Sequence, residues 1–277
     1  MRRHDDFFAT KLVVITGGTS GIGFALAREL SRRKATVVVL ADKADSVLRA
    51  VTELRAGSSW VHGYVCDIGI PDQVSDTCAQ VIAEHGVPDI LINNAGYAIY
   101  RTFEQEDPSE VERLMSVNFG GAVRTTKAFM AGMVRRRSGH IVNMASIAGV
   151  LPLTPCALYG AAKHGMVGWS QCIAPELIRF GIDVTVVCPG RVETSFFDHA
   201  SFRSRPHRKE TEATVPLAAV VAVTIDAILR RQRIRCVPRR YGMLAWAYNA
   251  LGPLVRIPFN KLVRSRVEDL YRSSEGR

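Results

Sequence analysis

Residues 11–30 read Lys-Leu-Val-Val-Ile-Thr-Gly-Gly-Thr-Ser-Gly-Ile-Gly-Phe-Ala-Leu-Ala-Arg-Glu-Leu, and this stretch decides the fold. Its apolar, β-branched run up to Thr16 predicts a buried strand. A glycine-rich turn follows, and the residues from Phe24 to Leu30 have helical composition. A strand, a glycine turn and a helix in this order are the setting in which a glycine motif holds phosphate groups. The N-terminus of the helix would offer them free N–H groups and the positive end of its dipole.

The glycine turn supplies the first candidate binding residues. Gly17 permits a tight turn, Gly21 lets the backbone approach a pyrophosphate, and Gly23 lets the helix pack closely on the strand. The spacing is G-x-x-x-G-x-G and not the general dinucleotide spacing G-x-G-x-x-G, so a glycine turn without a ligand is the alternative. The candidate nucleotide contacts in this turn are Gly17, Thr19, Ser20, Gly21, Ile22 and Gly23.

Asp42 follows the second predicted strand, Thr36 to Leu40. It lies nineteen residues after Gly23, close to the roughly 20 residues expected for an acid that bonds an adenosine ribose. A carboxylate there accepts from the 2′-hydroxyl and repels a 2′-phosphate, so we expect NAD to be preferred over NADP. The adjacent Lys43 keeps NADP open, because a basic side chain pairs with that phosphate. The other alternative is that Asp42 caps the next helix.

Tyr159 and Lys163 are four residues apart, and Ser146 lies thirteen residues before the tyrosine. On a helix, positions i and i+4 share a face, so the phenol and the ammonium can act on one substrate atom. A cation about 4 Å away in a partly wet site supplies about 4 kcal/mol, enough to lower the tyrosine pKa by about three units. With a serine hydroxyl to polarise a carbonyl, the three residues predict acid–base catalysis at a C–O bond. For an isolated pair, the alternative is a packed tyrosine beside a solvated lysine.

With both ends of the chain considered, the sequence strongly resembles the short-chain dehydrogenase/reductase family, from about Lys11 to about Thr194. The matching segments in chain order are Thr16 to Gly23, Cys66-Asp67-Ile68, Asn93-Asn94-Ala95-Gly96, Asn118, Ser146, Tyr159, Lys163 and Pro189 to Thr194. The resemblance implies a catalytic set of Asn118, Ser146, Tyr159 and Lys163. It implies that the cofactor contacts beyond the glycine turn are Asp42, Lys43, Asp67, Ile68, Asn94, Ala95, Gly96, Tyr159, Lys163, Pro189, Gly190, Val192 and Thr194.

The same resemblance implies a reaction, an NAD(P)-dependent interconversion of a secondary alcohol and a ketone. Tyr159 would exchange the proton with the oxygen, and Lys163 would lower the pKa of Tyr159 and hold the nicotinamide ribose. Ser146 would position the oxygen, and the backbone carbonyl of Asn118 would bind a water of a proton relay. No metal is expected, because no His/Cys/Asp cluster with ligand spacing is visible. The rival functions are a non-catalytic nucleotide-sensing module and a membrane-associated scaffold.

Strand-like runs recur along the chain with helical stretches between them, near Val13, Val38, Val61, Ile90, Ile141, Val184 and Ile234. This alternation predicts an α/β fold, a Rossmann-type doubly wound parallel sheet of about seven strands with helices on both faces. We expect a single NAD(P)-binding domain over residues 1–277, with a core of about 11–238 and a C-terminal helical extension of about 239–277.

Composition narrows the remaining choices. The chain has 277 residues, of which 47% are hydrophobic and 22% charged, and its net charge is +10. Nothing resembles a signal peptide or a transmembrane span, so the sequence predicts a cytoplasmic protein. The basic clusters come with no nucleic-acid motif, so no nucleic-acid partner is expected. Six cysteines without a C-x-x-C spacing indicate buried, reduced thiols, with Cys156 near Tyr159 as a candidate pocket residue.

Two further segments bear on the substrate. The stretch from Ser195 to Glu212 lies where the family keeps its substrate lid. Apolar residues in 149–153 and 97–100 favour a hydrophobic alcohol or ketone, lipid-, steroid- or aryl-like, over a small sugar.

The stretch from Tyr241 to Tyr271 is the least typical of the family and mixes apolar, aromatic and basic residues. Its alternatives are a subunit interface or pocket wall, a peripheral membrane contact, and a cap on the sheet. The first predicts a homodimer or homotetramer that is insensitive to salt, with truncation before Tyr241 loosening assembly more than chemistry. Pro253 and Pro258 are expected to prevent one long helix.

Overall fold

A computed structural model describes residues 7–57, 60–194, 196, 200–202 and 214–275. Its sheet has seven parallel strands in the order β3-β2-β1-β4-β5-β6-β7. The strands are β1 (Leu12–Thr16), β2 (Thr36–Ala41), β3 (Val61–Val65), β4 (Ile90–Asn93), β5 (Gly139–Met144), β6 (Ile182–Pro189) and β7 (Ile234–Val237). Each of the seven predicted positions lies in one of these strands, so the predicted sheet is confirmed. The predicted lid, apart from residues 196 and 200–202, lies outside the described residues.

Helices cover both faces of the sheet. On one face lie α1 (Gly21–Arg32), α2 (Ala44–Arg55) and α7 (Leu217–Leu229), whose buried side chains join one apolar cluster with the strands. On the other lie α3 (Pro71–His85), α5 (Gly121–Arg136) and α6 (Ala157–Leu177), which share a second cluster. A shorter helix, α4 (Pro108–Met115), precedes α5. The doubly wound arrangement predicted from the sequence is therefore present.

Strand β1 shows why the predicted strands are continuous apolar runs. Successive side chains of a strand point to opposite faces. Val13 and Ile15 accordingly belong to the first cluster, and Leu12 and Val14 to the second. All four are buried, as expected for a parallel sheet with helices on both sides.

The strand order fixes where a ligand can bind. Strand β1 pairs with β2 on one side and with β4 on the other, so the chain winds in opposite directions from this point. In open α/β sheets, ligands bind outside the carboxyl ends of the strands at such a switch point. The glycine turn after β1 and the segments after β4, β5 and β6 all lie at that edge.

The C-terminal residues form two helices, α8 (Arg239–Ala250) and α9 (Pro253–Glu275). Gly252 joins them with a left-handed φ of +52°, and Pro253 begins α9. The expectation that Pro258 would also interrupt the helix is wrong, because α9 continues through it. A proline early in a helix removes one backbone hydrogen bond, and a long helix tolerates that loss where the other turns remain bonded. Among the described residues, no helix is both long and apolar enough to span a bilayer.

Candidate active site

The glycine turn after β1 is shaped by the absence of side chains. Gly17 and Gly21 have left-handed φ angles of +64° and +53°. A Cβ on Gly23 would collide with the carbonyl oxygen of Gly17 and with the Asn94 amide, so only glycine fits there. Ser20 precedes α1 in an extended conformation, and its side chain makes no capping bond. The turn thus leaves the first N–H groups of α1 facing the carboxyl edge of the sheet, as an anion site requires.

Asn94 ties this turn to the end of β4. Its side-chain amide donates to the backbone oxygens of Thr16 and Gly17, both at 3.1 Å. The Thr16 hydroxyl accepts from the backbone N–H groups of Asn94 and Ala95, at 3.0 and 3.1 Å. These four bonds hold the two neighbouring loops in a fixed relation. Asn94 therefore lines the cleft and also holds in place the two loops that form it.

Asp42 borders the cleft just after β2, and its side chain is exposed. The N-cap of α2 is Lys43 and not Asp42, and this cap makes no side-chain hydrogen bond. The capping alternative for Asp42 therefore has no support in the geometry. Lys43 is exposed and is not among the residues that line the cleft.

Asp67 and Arg113 form an ion pair at the cleft wall. One carboxylate oxygen of Asp67 accepts from Arg113 Nη2 at 2.7 Å, and the other accepts from the Gly69 N–H at 2.9 Å. Burial alone would raise the pKa of Asp67, but the bonds to Arg113 and Gly69 outweigh it and lower the pKa. Sequence reasoning missed Arg113, because it lies in α4, far along the chain from Asp67. Only the fold brings the two together.

Ser146 and Tyr159 meet at the carboxyl end of β5. Ser146 caps the short 3-10 turn Ile147–Gly149, where its hydroxyl accepts from the Ala148 N–H at 3.1 Å. Burial raises the pKa of Tyr159 well above its ordinary value, although a hydrogen bond with Ser146 lowers it. The ring of Phe196 contacts Tyr159 edge-on, with 5.7 Å between centroids. The phenol is thus held at the serine hydroxyl within an aromatic corner of the cleft.

Lys163 lies one helical turn beyond Tyr159 in α6 and is almost fully buried, with 3% of its surface exposed. Its Nζ donates to the backbone oxygen of Met144 at 3.0 Å and lies 5.6 Å from the centroid of the Tyr159 ring. Burial lowers the pKa of Lys163 to about 8. The expected pairing of phenol and ammonium is present, but burial opposes the charge on both groups. A lowered tyrosine pKa is not a property of this chain by itself.

Asn118 lies beneath the cleft in a π-helical segment, Ser116–Gly120, between α4 and α5. It is fully buried, and its side-chain amide donates to the backbone oxygens of Tyr97 and Leu114 at 2.9 and 3.1 Å. A Cβ on Gly96 would collide with Asn118 Oδ1 and would lie 3.5 Å from Lys163 Nζ. The glycine therefore lets Asn118 and Lys163 approach each other. A π turn inside a helix often marks a functional site.

A buried polar network supports this floor. Asn93 donates to Thr126 Oγ1 at 2.9 Å and to Asn143 Oδ1 at 2.8 Å, and it accepts from Thr125 at 2.7 Å. Asn143 in turn donates to the Ser170 hydroxyl at 2.7 Å. The network joins β4, β5, α5 and α6 directly under the site. A fully satisfied buried network fixes a unique arrangement of the elements it joins.

These residues surround one cleft of about 910 Å³. Its lining includes the predicted residues Gly17, Thr19, Ser20, Gly21, Ile22, Asp42, Asp67, Ile68, Asn94, Ala95, Gly96, Ser146, Tyr159, Lys163, Pro189, Gly190, Val192 and Thr194. Three predicted residues are not in the lining: Gly23 packs under the turn, Asn118 lies below the floor, and Lys43 is exposed outside the cleft. Cys156 borders the cleft, whereas Cys172 is exposed, so the expectation of uniformly buried thiols is wrong for Cys172.

The C-terminal helices form part of the cleft wall. Tyr241 and Leu244 of α8 and Phe259 of α9 line the cleft and pack in one apolar cluster with Ile147 and Leu151. A Cβ on Gly190 would meet the Tyr241 ring, so that glycine allows α8 to approach the segment after β6. Of the alternatives for this tail, a pocket wall agrees with these contacts.

A family model described as short chain dehydrogenase matches residues 11–203, which is most of the chain. This chain belongs to the short-chain dehydrogenase family.

Individual relatives agree with the family match. An uncharacterized oxidoreductase of Saccharomyces cerevisiae is 37% identical over 191 residues, which cover 66% of this chain and 60% of the relative. A D-beta-hydroxybutyrate dehydrogenase of Rhizobium meliloti is 35% identical over 187 residues, covering 67% and 72%. A solved short-chain dehydrogenase from Sphingobium yanoikuyae, in complex with NADPH, has a TM-score of 0.77 at 27% identity, covering 87% of this chain and 95% of its own. The match thus spans three-fifths of the yeast relative and only 34% of some others.

A nicotinamide cofactor suits the cleft of this short-chain dehydrogenase. Gly17 and Gly21 line the cleft, and Gly17 and Gly23 let the turn pack closely against Ala95 and Asn94. The N-terminus of α1 begins at this turn. Across it, Thr194 Cβ lies 3.3 Å from the place of a Cβ on Gly21. Within the described residues, no group of three or more His, Cys, Asp or Glu side chains is arranged to hold a metal ion.

Proposed function

We propose that this short-chain dehydrogenase interconverts a secondary alcohol and a ketone with a nicotinamide cofactor. One observation carries the proposal: Ser146, Tyr159 and Lys163 border the same cleft as the glycine turn and Asp42. Two relatives, a hydroxybutyrate dehydrogenase and an NADPH-bound dehydrogenase, support it. When bound, the cofactor supplies or accepts the hydride at the carbonyl carbon.

Tyr159 is proposed as the group that moves the proton. Because burial raises its pKa, the phenol is protonated at neutral pH and can act as the acid toward a ketone oxygen. In the opposite direction it must take a proton, and the cation of Lys163 favours the phenolate that precedes this step. Ser146 already bonds the phenol and is proposed to hold the substrate oxygen beside it.

Lys163 and Asn118 are proposed to position Tyr159 and to return a proton to it. With a pKa of about 8, Lys163 is charged at neutral pH yet close enough to titration to pass a proton on. Its Nζ retains donors beyond the bond to Met144, and these are proposed to bind the cofactor ribose. Asn118 is proposed to support the relay from the floor, at the gap that Gly96 leaves open.

NAD is proposed as the preferred cofactor. Asp42 borders the cleft and does not cap α2, which suits a carboxylate that accepts from a ribose hydroxyl. Lys43 lies off the cleft, and Arg113 is held by Asp67, so neither basic group is presented freely to a 2′-phosphate. Asp67 and Ile68 are proposed at the adenine, and Thr194 at the carboxamide.

The substrate is proposed to be hydrophobic. Beside Tyr159, the cleft is walled by apolar and aromatic side chains, namely Leu151, Leu153, Phe196, Phe202, Leu244 and Phe259. Contact with such a wall favours binding of an apolar substrate, whereas a polyhydroxylated sugar would find few hydrogen-bond partners there. A lipid-, steroid- or aryl-like ketone or alcohol is the class that fits it.

A homodimer or homotetramer and a cytoplasmic location remain predictions. Sedimentation of the full chain tests the oligomeric state.

The test is the substitution Tyr159→Phe, which keeps the ring and removes the exchangeable proton. General acid–base catalysis contributes about 10²–10⁴-fold, so we expect turnover of a hydrophobic ketone to fall by that order with cofactor binding retained. Tyr64→Phe is the matched control, because Tyr64 lies on β3 outside the lining of the cleft and its hydroxyl contacts Glu84 and His85 of α3. Near-normal turnover by Tyr159→Phe would contradict the mechanism. A wild-type chain that binds cofactor and turns over no ketone or alcohol would favour the nucleotide-sensing alternative.

A further inference from the structure

The outer side of α8 and α9 is an exposed apolar surface. We call it the tail surface, and its large apolar side chains are Met243, Trp246, Leu251, Leu254 and Ile257. Trp246 is 67% exposed and Leu254 81%, so these side chains make little contact within the chain. Several large exposed apolar side chains on two consecutive helices are typical of an interaction site.

The charge around the tail surface is mainly positive. Between residues 239 and 264, the exposed basic side chains are Arg239, Arg240, Arg256, Lys261 and Arg264, and the sequence holds no Asp or Glu in that range. Arg256 lies over the Tyr248 ring and Arg240 over the Tyr241 ring, which fixes both guanidinium groups beside the helices. Arg264 pairs with Glu268 on the next turn of α9 at 3.3 Å. The surface therefore combines apolar side chains with a border that is positive apart from this pair.

The same two helices separate this surface from the catalytic cleft. Their inner side chains, including Leu244 and Phe259, line the cleft. Leu262 lines the cleft and is 54% exposed, so it stands at the mouth. The tail surface and the mouth of the cleft are thus formed by the same two helices, α8 and α9.

We propose that the tail surface docks on an anionic phospholipid bilayer and that an apolar ketone or alcohol reaches the cleft from that bilayer past Leu262. The docking stands by itself, whereas the route of the substrate rests on the proposed function. Apolar side chains next to arginines, with an aromatic residue at the boundary, are the composition of a surface-lying helix.

A second copy of this chain is a poorer occupant of the tail surface. In a two-fold symmetric dimer the same patch meets itself, so the five basic groups would face each other. Like charges across an interface are unfavourable. Anionic lipid has the opposite sign and an apolar interior, so it complements both features of the surface.

The test is co-sedimentation of the full-length protein with phosphatidylcholine vesicles, with and without phosphatidylglycerol. We expect binding to be at least about tenfold stronger with the anionic lipid, because each basic residue near the surface contributes on the order of fivefold. High salt should weaken that binding. The variant Leu254→Glu should abolish it. Leu48→Glu is the matched control, since Leu48 is a 69% exposed leucine on α2, and it should bind as wild type does.

Three results would overturn the docking: no binding of the wild type to anionic vesicles, equal loss in both variants, or a salt-resistant dimer that Leu254→Glu dissociates. For the route, we expect Leu254→Glu to slow turnover of a ketone dissolved in the vesicles and to spare a short water-soluble ketone. Equal loss on both ketones overturns the route. Failure of the proposed function would look different, because vesicle binding would persist while neither ketone is turned over by any variant.

Discussion

Lys163 is a cation that the fold buries beside the cleft. Its Nζ has the Met144 oxygen as a protein acceptor at 3.0 Å, and burial brings its pKa from 10.5 to about 8. At about 1.4 kcal/mol per unit, the charged form is disfavoured by about 3 kcal/mol at neutral pH. The folded state binds fewer protons than the unfolded state between about pH 8 and 10.5, so this penalty fades as the pH rises through that window. Burying this charge therefore lowers the free energy of unfolding, and the proposed proton chemistry gives a reason for it.

Asp42 gives the sharpest residue-scale prediction, on cofactor choice. We expect the wild type to show a higher kcat/KM with NADH than with NADPH, and Asp42→Ala to narrow or reverse that ratio, because the carboxylate no longer repels a 2′-phosphate. Lys43→Ala is the matched control and should leave the ratio unchanged, since Lys43 lies off the cleft. Steady-state kinetics with both cofactors measure this. If the wild type already prefers NADPH, Asp42 does not have the proposed role.

At the scale of single elements, the strand–turn–helix unit of β1 and α1 depends on Gly23. A Cβ there would collide with backbone at Gly17 and with the Asn94 amide that joins two loops. We expect Gly23→Ala to lower the free energy of unfolding by about 1–3 kcal/mol and to weaken cofactor binding, because overpacking shifts the turn. Gly168→Ala is the control: Gly168 lies within α6 with nothing near its Cβ position, so alanine there should be neutral or stabilising. Urea unfolding and cofactor titration separate the two variants.

Strands β5 and β6 carry a pH-dependent contact at His140. Its Nε2 lies 2.8 Å from the Thr185 hydroxyl, and that hydroxyl donates to the Gln232 oxygen at 2.6 Å. Since the hydroxyl has a single proton, His140 must donate through Nε2–H. Burial, with a smaller contribution from Arg231, lowers the pKa of His140 from 6.5 to about 4. The imidazole is therefore neutral in the folded chain at neutral pH.

The sign of the resulting stability change follows from proton binding. Between about pH 6.5 and 4 the unfolded chain binds more protons at His140, so folding is favoured less as the pH falls. We expect His140 to contribute a loss of about 2 kcal/mol between pH 7 and pH 5. Urea unfolding at both values should show that His140→Gln loses less stability than wild type, whereas a substitution at the exposed His164 keeps the wild-type loss. An unchanged loss in His140→Gln would exclude the contribution.

At the scale of the whole molecule, local patterns were enough to predict the sheet. The strands around Val13 and Val38 are buried on both faces of the sheet. The alternation of strands with helices leads to the doubly wound parallel arrangement. Most of the residues named for the site line one cleft, with Gly23, Lys43 and Asn118 outside its lining. Their roles and the single-domain boundaries, 11–238 and 239–277, remain predictions. Arg113 was not foreseeable, because its partner Asp67 is distant in sequence and the pairing exists only after folding. The path of α9 through Pro258 also depends on the length of the helix around it.

The tail contacts change what truncation should do. The sequence predicted that removal of residues from Tyr241 onward would loosen assembly more than chemistry, but Tyr241, Leu244 and Phe259 line the cleft. Because the seven strands and Ser146, Tyr159 and Lys163 all precede Tyr241, the truncated chain should keep its sheet and bind cofactor. It loses the apolar wall formed by the half-buried side chains of Tyr241, Leu244 and Phe259.

We therefore expect truncation to raise KM for a bulky hydrophobic ketone by about 10–100-fold and to change that for a short ketone much less. Circular dichroism and cofactor titration verify that the truncated chain is folded. Phe259→Ala in the full-length protein is the second variant, since it removes part of the wall without removing a helix, and it should raise the same KM by a smaller factor. Equal losses on both ketones in Phe259→Ala would mean that the tail acts on the fold and not on the substrate, and the pocket-wall role would then fail.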